Sequence, residues 1–299
     1  MRDFLRWLRT IPPERFVLAL LVAVALGTWG GVAAWWPRPL TVTVFAVGDG
    51  DAVLVQAPGG KAVLYDGGSR DGAEVGPRVL VPNLLLRGVK HLDAIIVSHP
   101  DSDHINGLPA VLDAVRVDTV LESGVPCDTG TYAHLEAEMR RHHVPSQTVR
   151  AGDRLNLGGG ATLAVLAPGA QLISGTDSDT NNNSLLCRLD YGASHLLLTG
   201  DAEEQEEHAA IAAGADVRAQ VLLVAHHGSR HSTGEAFLAA VRPALAVVST
   251  QVGQLNGLPS PDTLTRLRHA RVRTYRTDDN GQVTLTTDGT HWNVATYRQ

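Results

Sequence analysis

Ala94-Ile95-Ile96-Val97 is an apolar run that passes directly into Ser98-His99-Pro100-Asp101-Ser102-Asp103-His104, placing four cation-ligating groups within six positions. A short apolar run bounded by turn residues reads as a buried strand, so the polar groups fall in a tight turn at its end. Pro100 restricts His99 to an extended conformation, which helps aim the side chains that alternate around it. Asp103 alone would serve as an ordinary helix N-cap. Two histidines and a second aspartate exceed what a cap needs. Imidazole and carboxylate are ligands of zinc, manganese and iron. With Cys127 and Cys187 as its two cysteines, the chain cannot build a multi-thiolate site, and any metal rests on His, Asp or Glu.

Two further apolar runs end in the same way. His195-Leu196-Leu197-Leu198 closes in Thr199-Gly200-Asp201, and Val221-Leu222-Leu223-Val224 closes in Ala225-His226-His227-Gly228-Ser229. Taken alone, Asp201 reads as the cap of a helix starting near Ala202, and the histidine pair as either ligands or hydrogen-bonded core. Together the three strand ends would supply enough ligands for two divalent ions sharing a bridging carboxylate and water. Other polar runs have plainer readings. Glu203, Glu204, Glu206 and Glu207 open a helix, where the dipole favours negative charge. Gly48-Asp49-Gly50-Asp51 and Asp66-Gly67-Gly68 are turns, with Asp66 placed to orient a ligand from behind.

Along the 299 residues, short strands alternate with helical patterns in both halves. Strands are expected at Thr41–Phe45, Ala52–Gln56, Ala62–Tyr65, Ala94–Ser98, Thr119–Glu122, Thr162–Leu166, Leu185–Asp190, His195–Leu198, Val221–Val224, Leu245–Val248, Arg273–Tyr275 and Val283–Thr287. Helices are expected at Leu108–Val115, Tyr132–His143, Glu203–Ala213, Gly234–Val241 and Thr263–His269, and Ala170–Asn183 as an exposed loop. No linker, repeat or low-complexity tract divides the region, which indicates one α/β domain over residues 38–299.

Residues 1–36 differ. Phe16 to Trp36 is a run of 21 residues without Asp, Glu, Lys or Arg, preceded by Arg2, Arg6, Arg9 and Arg15. That length spans a hydrocarbon core of about 30 Å, and the preceding charge would keep the N-terminus cytoplasmic. The expectation is a cytoplasmic stub and membrane anchor with the domain outside. A cleaved signal at Gly31-Val32-Ala33 is the alternative, and would make the domain secreted. Four Arg against Asp3 and Glu14 make the segment +2, so a chain of net −6 leaves −8 on the remainder. Such an acidic domain has no general attraction for polyphosphates, and any nucleic-acid contact must be local or metal-mediated.

In order, Val47-Gly48-Asp49-Gly50-Asp51, Tyr65-Asp66-Gly67-Gly68, the Ser98–His104 turn, Asn182-Asn183-Ser184, Thr199-Gly200-Asp201, His226-His227-Gly228-Ser229, the Asn256–Pro261 stretch and Thr277-Asp278 form a specific series. The series resembles the metallo-β-lactamase superfamily and, within it, the ComEC-like metallohydrolase domain of DNA-uptake channels. The resemblance implies an αββα metallo-β-lactamase sandwich, here preceded by one N-terminal transmembrane helix. It also implies a pair of divalent ions that activate water for hydrolysis. Carried over by position, His99 and Asp101 would hold one metal, Asp103 and His104 the other, Asp201 would bridge, and His226 or His227 would complete the shell. Asp101 stands where the commoner turn has His, and this harder ligand set makes Mn2+ a rival to Zn2+. No third-motif histidine is evident between Leu108 and Thr199. His134, His142 and His143 lie on a helical pattern, His195 begins a strand, and the Asn181–Ser184 stretch takes that part of the cleft. Ser260 stands where the ComEC-like group tends to carry His.

The function expected is a membrane-tethered, extracytoplasmic nuclease or phosphodiesterase acting on single-stranded DNA, in the company of a DNA-uptake channel. Asp103 or Asp201 would take the proton of the attacking water, with His227 beside them. Asn183, Ser184, Ser229, Arg230, Ser232, Asn256 and Ser260 would meet the substrate. Two alternatives remain open: a small-molecule metallohydrolase for a lactone, thioester or phosphodiester, and a non-catalytic scaffold module of DNA uptake whose metal serves stability. Cys127 and Cys187 are either a pair or two free thiols.

Overall fold

The computed structural model describes residues 12, 14, 15, 17, 18, 21, 22, 24, 38–251 and 257–298. The chain divides into two units, Met1–Arg38 and Pro39–Gln299. In the first, Glu14, Arg15, Val17, Leu18, Leu21, Val22 and Val24 are helical, and the five apolar residues among them are exposed. Among the described residues no helix is long and apolar enough to cross a membrane. Most of Phe16–Trp36, and with it the expected anchor, lies outside the described residues.

The second unit holds two large sheets. From edge to edge the first is β17 (Trp292–Thr296), β16 (Val283–Thr287), β1 (Leu40–Val44), β2 (Val53–Gln56), β3 (Ala62–Tyr65), β5 (Ala94–Val97), β7 (Val120–Glu122) and β8 (Ser146–Thr148). The second is β15 (Arg273–Arg276), β14 (Leu245–Val248), β13 (Val221–Leu223), β12 (Ser194–Leu198), β11 (Leu186–Tyr191), β10 (Ala161–Ala167) and β9 (Arg154–Gly158). A short parallel pair, β4 (His91–Leu92) and β6 (Arg116–Val117), completes the strands.

Strand alternation builds the layers, because successive side chains point to opposite faces. Val42, Val53, Val55, Val63, Tyr65 and Ile96 turn inward from the first sheet and meet Leu163, Cys187, Leu189, Leu196, Leu198, Val221 and Leu223 of the second. The intervening Leu54, Leu64, Ile95 and Val97 face outward, packing beneath helices Val81–Leu86, Leu108–Ala114 and Gly130–Arg141. Leu186, Leu197, Leu222 and Ala246 do the same beneath Glu204–Ala212, Glu235–Val241 and Pro261–His269. Strands apolar on both faces are the reason the sequence shows unbroken runs such as Ala94–Val97. The four layers are the expected αββα sandwich. Tyr65 ties the sheets together, its hydroxyl donating to the Leu185 carbonyl at 2.7 Å in the buried interior.

Two expectations need correction, and of the two readings left open for the cysteines the structure shows free thiols. The stretch Ala170–Asn183 is not all exposed loop, since Asn181–Asn183 form a buried 3-10 turn. The Glu203–Glu207 run is not simply a solvated helix start: Glu206 and Glu207 are buried, accepting backbone N–H groups from Ser184 and from Thr233 and Gly234. Cys127 and Cys187 are unpaired, Cys187 lying in the core between the sheets.

Candidate metal centre

Strands β3 and β5 run parallel, as do β12, β13 and β14, and the loops leaving their C-terminal ends converge. Asp66 follows β3, the Ser98–His104 turn follows β5, Asp201 follows β12, and His226-His227 follow β13. Close backbone approach is essential here. Gly200 has φ +50°, and a side-chain carbon on it would come 2.7 Å from Ser98 Cβ. His226 and His227 both take left-handed backbone conformations, at φ 50° and 52°, and their rings stand nearly perpendicular. Such a pair of non-glycine residues is costly and persists where surrounding contacts enforce it. The result is that adjacent histidines reach opposite sides of one carboxylate.

That carboxylate is Asp201. Its Oδ1 lies 3.1 Å from His104 Nε2 and 3.6 Å from His227 Nε2. Its Oδ2 lies 3.6 Å from His226 Nε2 and 3.9 Å from His99 Nε2. Asp101 Oδ2 adds to the second side, 3.6 Å from His99 Nε2, and Asp103 Oδ2 to the first, 3.9 Å from His227 Nε2. Most of these spacings are too long for hydrogen bonds. They are compatible with atoms sharing a cation, because two ligands at about 2.1 Å sit roughly 3.0 Å apart at 90°, roughly 3.6 Å at 120° and at most roughly 4.2 Å. His99 Nε2, His104 Nε2, His227 Nε2 and Asp201 Oδ1 are buried without a hydrogen-bond partner among the described residues. Leaving several such groups unsatisfied at one point is expensive, and divalent cations would satisfy them. The donor set therefore fits a candidate two-metal site, with ligand triplets His99, His104, Asp201 and Asp103, His104, His227 among those within coordinating reach.

Each imidazole is held from behind through its other nitrogen. His104 Nδ1 lies 2.9 Å from Asp66 Oδ2, while Asp66 Oδ1 accepts the Ser98 N–H. His227 Nδ1 faces the Ser249 carbonyl at 3.2 Å. His99 Nδ1 contacts Ser98 Oγ at 3.0 Å, and His226 Nδ1 contacts Glu203 and Asn181 at 3.4 Å. Such partners fix the ring orientation and leave Nε2 for a ligand bond. Burial alone would push His104 down, but Asp201 and Asp66 hold it well above the ordinary imidazole value. Burial would likewise raise Asp201, yet His104, His226 and His227 hold it well below the usual carboxylate range. Burial drives His227 down, toward the neutral form a metal needs.

All the expected ligands meet here, and neither Asp101 nor Asp103 spends its side chain on capping the helix Ser102–Ile105. Both histidines of the pair reach Asp201, His227 toward one oxygen and His226 toward the other. His195 instead lies on β12 beside Asp190, with its Nδ1 2.6 Å from Asp190 Oδ1.

Several residues expected to meet substrate are engaged by the protein itself. The Asn183 amide bonds to Ile173 and Asp179, which locks the preceding loop. Ser184 Oγ lies 3.4 Å from His99 Nδ1 and accepts the Asp201 N–H. Ser229 Oγ accepts the His231 N–H, and Ser260 caps the helix Pro261–His269. Ser232 is buried, Arg230 is exposed, and Asn256 lies outside the described residues.

Sequence reasoning missed three groups at the centre, Asp51, Arg70 and Glu203, while Asn181, expected in that part of the cleft, lies against His226. Asp51 was read as part of a turn. It is buried beside His227, with its Oδ1 3.9 Å from Nδ1, and burial raises its carboxyl well above the ordinary value. The density of aspartates in Gly48-Asp49-Gly50-Asp51 was the available signal.

Comparison with known proteins agrees with this fold. The chain is 30% identical over 256 residues to ComE operon protein 3 of Bacillus subtilis, covering 81% of this chain and 32% of that protein. It is 28% identical over 306 residues to Competence protein ComA of Neisseria gonorrhoeae, covering 93% and 40%. The chain thus spans well under half the length of these curated relatives, which are of the ComEC-like group. Among solved structures, the metallo-beta-lactamase fold protein YhfI from Bacillus subtilis superposes with a TM-score of 0.54 at 12% identity, over 84% of this chain and 100% of that one. The family profile described as "Metallo-beta-lactamase superfamily" matches residues 46–251. With more than half its length under that profile and the fold in agreement, the chain belongs to the metallo-beta-lactamase superfamily.

Proposed function

We propose that this chain is a two-metal hydrolase that cleaves phosphodiesters, with single-stranded DNA as its substrate. In this reading residues 1–36 tether it to a membrane, its catalytic unit lies outside the cytoplasm, and its partner is a DNA-uptake channel. The observation that carries the hydrolytic reading is the gathering of candidate ligands on both sides of Asp201: His104 and His227 nearest Oδ1, with Asp103 beside His227, and His226 and His99 nearest Oδ2, with Asp101 beside His99. Asp201 would bridge, and His226 would fill the place left by the missing third-motif histidine. The competence names of the relatives support a DNA substrate.

Two divalent ions, Mn2+ or Zn2+, would supply activation of a water and stabilisation of charge on the phosphoryl oxygens. The chain's own groups orient and relay. Asp66, Ser98, Glu203 and Ser249 fix the histidine rings, and Asp103 is placed to receive the water's proton. Asp103 is held below the usual carboxylate range: burial opposes this, but His104, His227 and Arg70 outweigh it.

One observation favours a second reading. Ser260, at the position where a histidine would serve a leaving group, is spent as a helix cap, which suits a small ester or diester whose leaving group needs little help. Metal-dependent release of nucleotides from labelled single-stranded DNA tests the first reading, with Asp103→Ala as control. Equal release by both proteins would refute it, and faster turnover of lactones or thioesters than of DNA would favour the second.

A further inference from the structure

Asp51, Asp66, Asp101, Asp103, Asp201 and Glu203 crowd around four neutralisable histidines, in a unit that is itself acidic. With Asp51 pushed toward its neutral form by burial, two dications would offset four of the other five charges, so the candidate ligands leave a phosphodiester no net positive charge to approach. Among the described residues, one Lys or Arg pairs with this group of carboxylates. It is Arg70, whose Nε lies 3.2 Å from Asp103 Oδ2 and whose side chain is 45% exposed.

The setting of Arg70 is rigid. Its backbone N–H donates to the Asp49 carbonyl. Next to it, Ser69 makes two bonds with the Asn106 amide, accepting Nδ2 at 2.7 Å and donating to Oδ1 at 3.1 Å. Asn106 immediately follows the short helix that carries Asp103 and His104. The backbone bearing Arg70 is therefore tied to the same element as two of the candidate ligands, and the Nε contact with Asp103 directs the half-exposed guanidinium toward them. Only Nε is used. Nη1 and Nη2 make no hydrogen bond among the described residues, and they form the fork that recognises carboxylate and phosphate bidentately.

We propose that Arg70 is a phosphate-binding residue of the centre: Asp103 anchors its inner edge, and its outer edge grips the non-bridging oxygens of a phosphodiester. This rests on the phosphodiesterase reading above for its substrate, but its binding test stands apart from turnover. Arg70→Ala and Arg70→Lys are compared with the unaltered full chain, all loaded with Mn2+, for inorganic phosphate affinity by calorimetry, for metal content by mass spectrometry, and for kcat and KM on bis(p-nitrophenyl) phosphate. Loss of a charge-assisted fork predicts phosphate binding about 10–100-fold weaker in Arg70→Ala. KM should rise accordingly while metal content holds. Arg70→Lys should recover only part, since one ammonium cannot serve Asp103 and a phosphate with the same geometry. Unchanged phosphate affinity in Arg70→Ala overturns the proposal. So does a parallel loss of metal, which would make Arg70 a support for Asp103 alone. If the unaltered chain turns over no diester yet loses phosphate affinity on Arg70→Ala, the phosphodiesterase reading fails and this assignment stands.

Discussion

Glu207 gives the most quantitative test of the structure. Its carboxyl lies buried under the loop that follows His226 and His227, and accepts the N–H groups of Thr233 and Gly234. Burial pushes it from the ordinary 4.5 up to about 7, although both amides and Arg266 pull the other way. Below pH 4.5 the group is protonated folded or unfolded and contributes nothing to pH dependence. Between 4.5 and 7 the unfolded chain gives up the proton while the folded chain keeps it, so stability falls as pH rises. At about 1.4 kcal/mol per tenfold change in proton affinity, the full loss above pH 7 is about 3 kcal/mol. Glu207→Gln removes this titration and keeps the side chain's size, so the variant gains about 3 kcal/mol on the unaltered protein between pH 4.5 and 8. Urea denaturation of both proteins in chelator, at several pH values across that window, measures the gap. A gap that stays constant with pH would show that Glu207 is not held neutral by burial, and the reasoning would fail.

Other outcomes follow from the site and the core. His226→Ala and His227→Ala should each lower bound metal from two ions toward one, whereas Asp201→Ala should deplete both, as read by mass spectrometry of the loaded proteins. Full occupancy in Asp201→Ala would contradict its place between the two halves. Tyr65→Phe leaves the buried Leu185 carbonyl without its partner and should cost about 1–3 kcal/mol in urea denaturation; an unchanged midpoint would show that the bond contributes nothing.

The candidate ligands were legible in the sequence because each sits at the end of an apolar run, where a strand buried on both faces must surface and turn. His99, Asp101, Asp103 and His104 stood out from that pattern, whereas Asp201 and the histidine pair gained weight only when the three strand ends were taken together. What a linear chain hides is which runs are neighbours. Leu40 pairs with Thr287, a contact no local pattern encodes. Strand β8, Ser146–Thr148, is exposed throughout and carries no apolar alternation that marks a strand, whereas β9, Arg154–Gly158, does alternate, with Leu157 in the core, but over two apolar positions only. The acidic run at Glu203 misled for a related reason: its charge density looks solvated, yet Glu206 and Glu207 turn inward because backbone amides of two distant loops wait for them. Asp51 was hidden among turn-forming glycines, where a carboxylate is usually bland.

The pairing of β1 with both β2 and β16 has a consequence for how the molecule is made. A ribosome finishes every strand end that bears a ligand before it reaches residue 283. Until the later strand docks, β1 keeps a row of bare amides and carbonyls open to any passing chain. Closing so wide a span is slow, so during synthesis the protein passes through a stage that is rich in metal-seeking side chains and still exposed to mispairing.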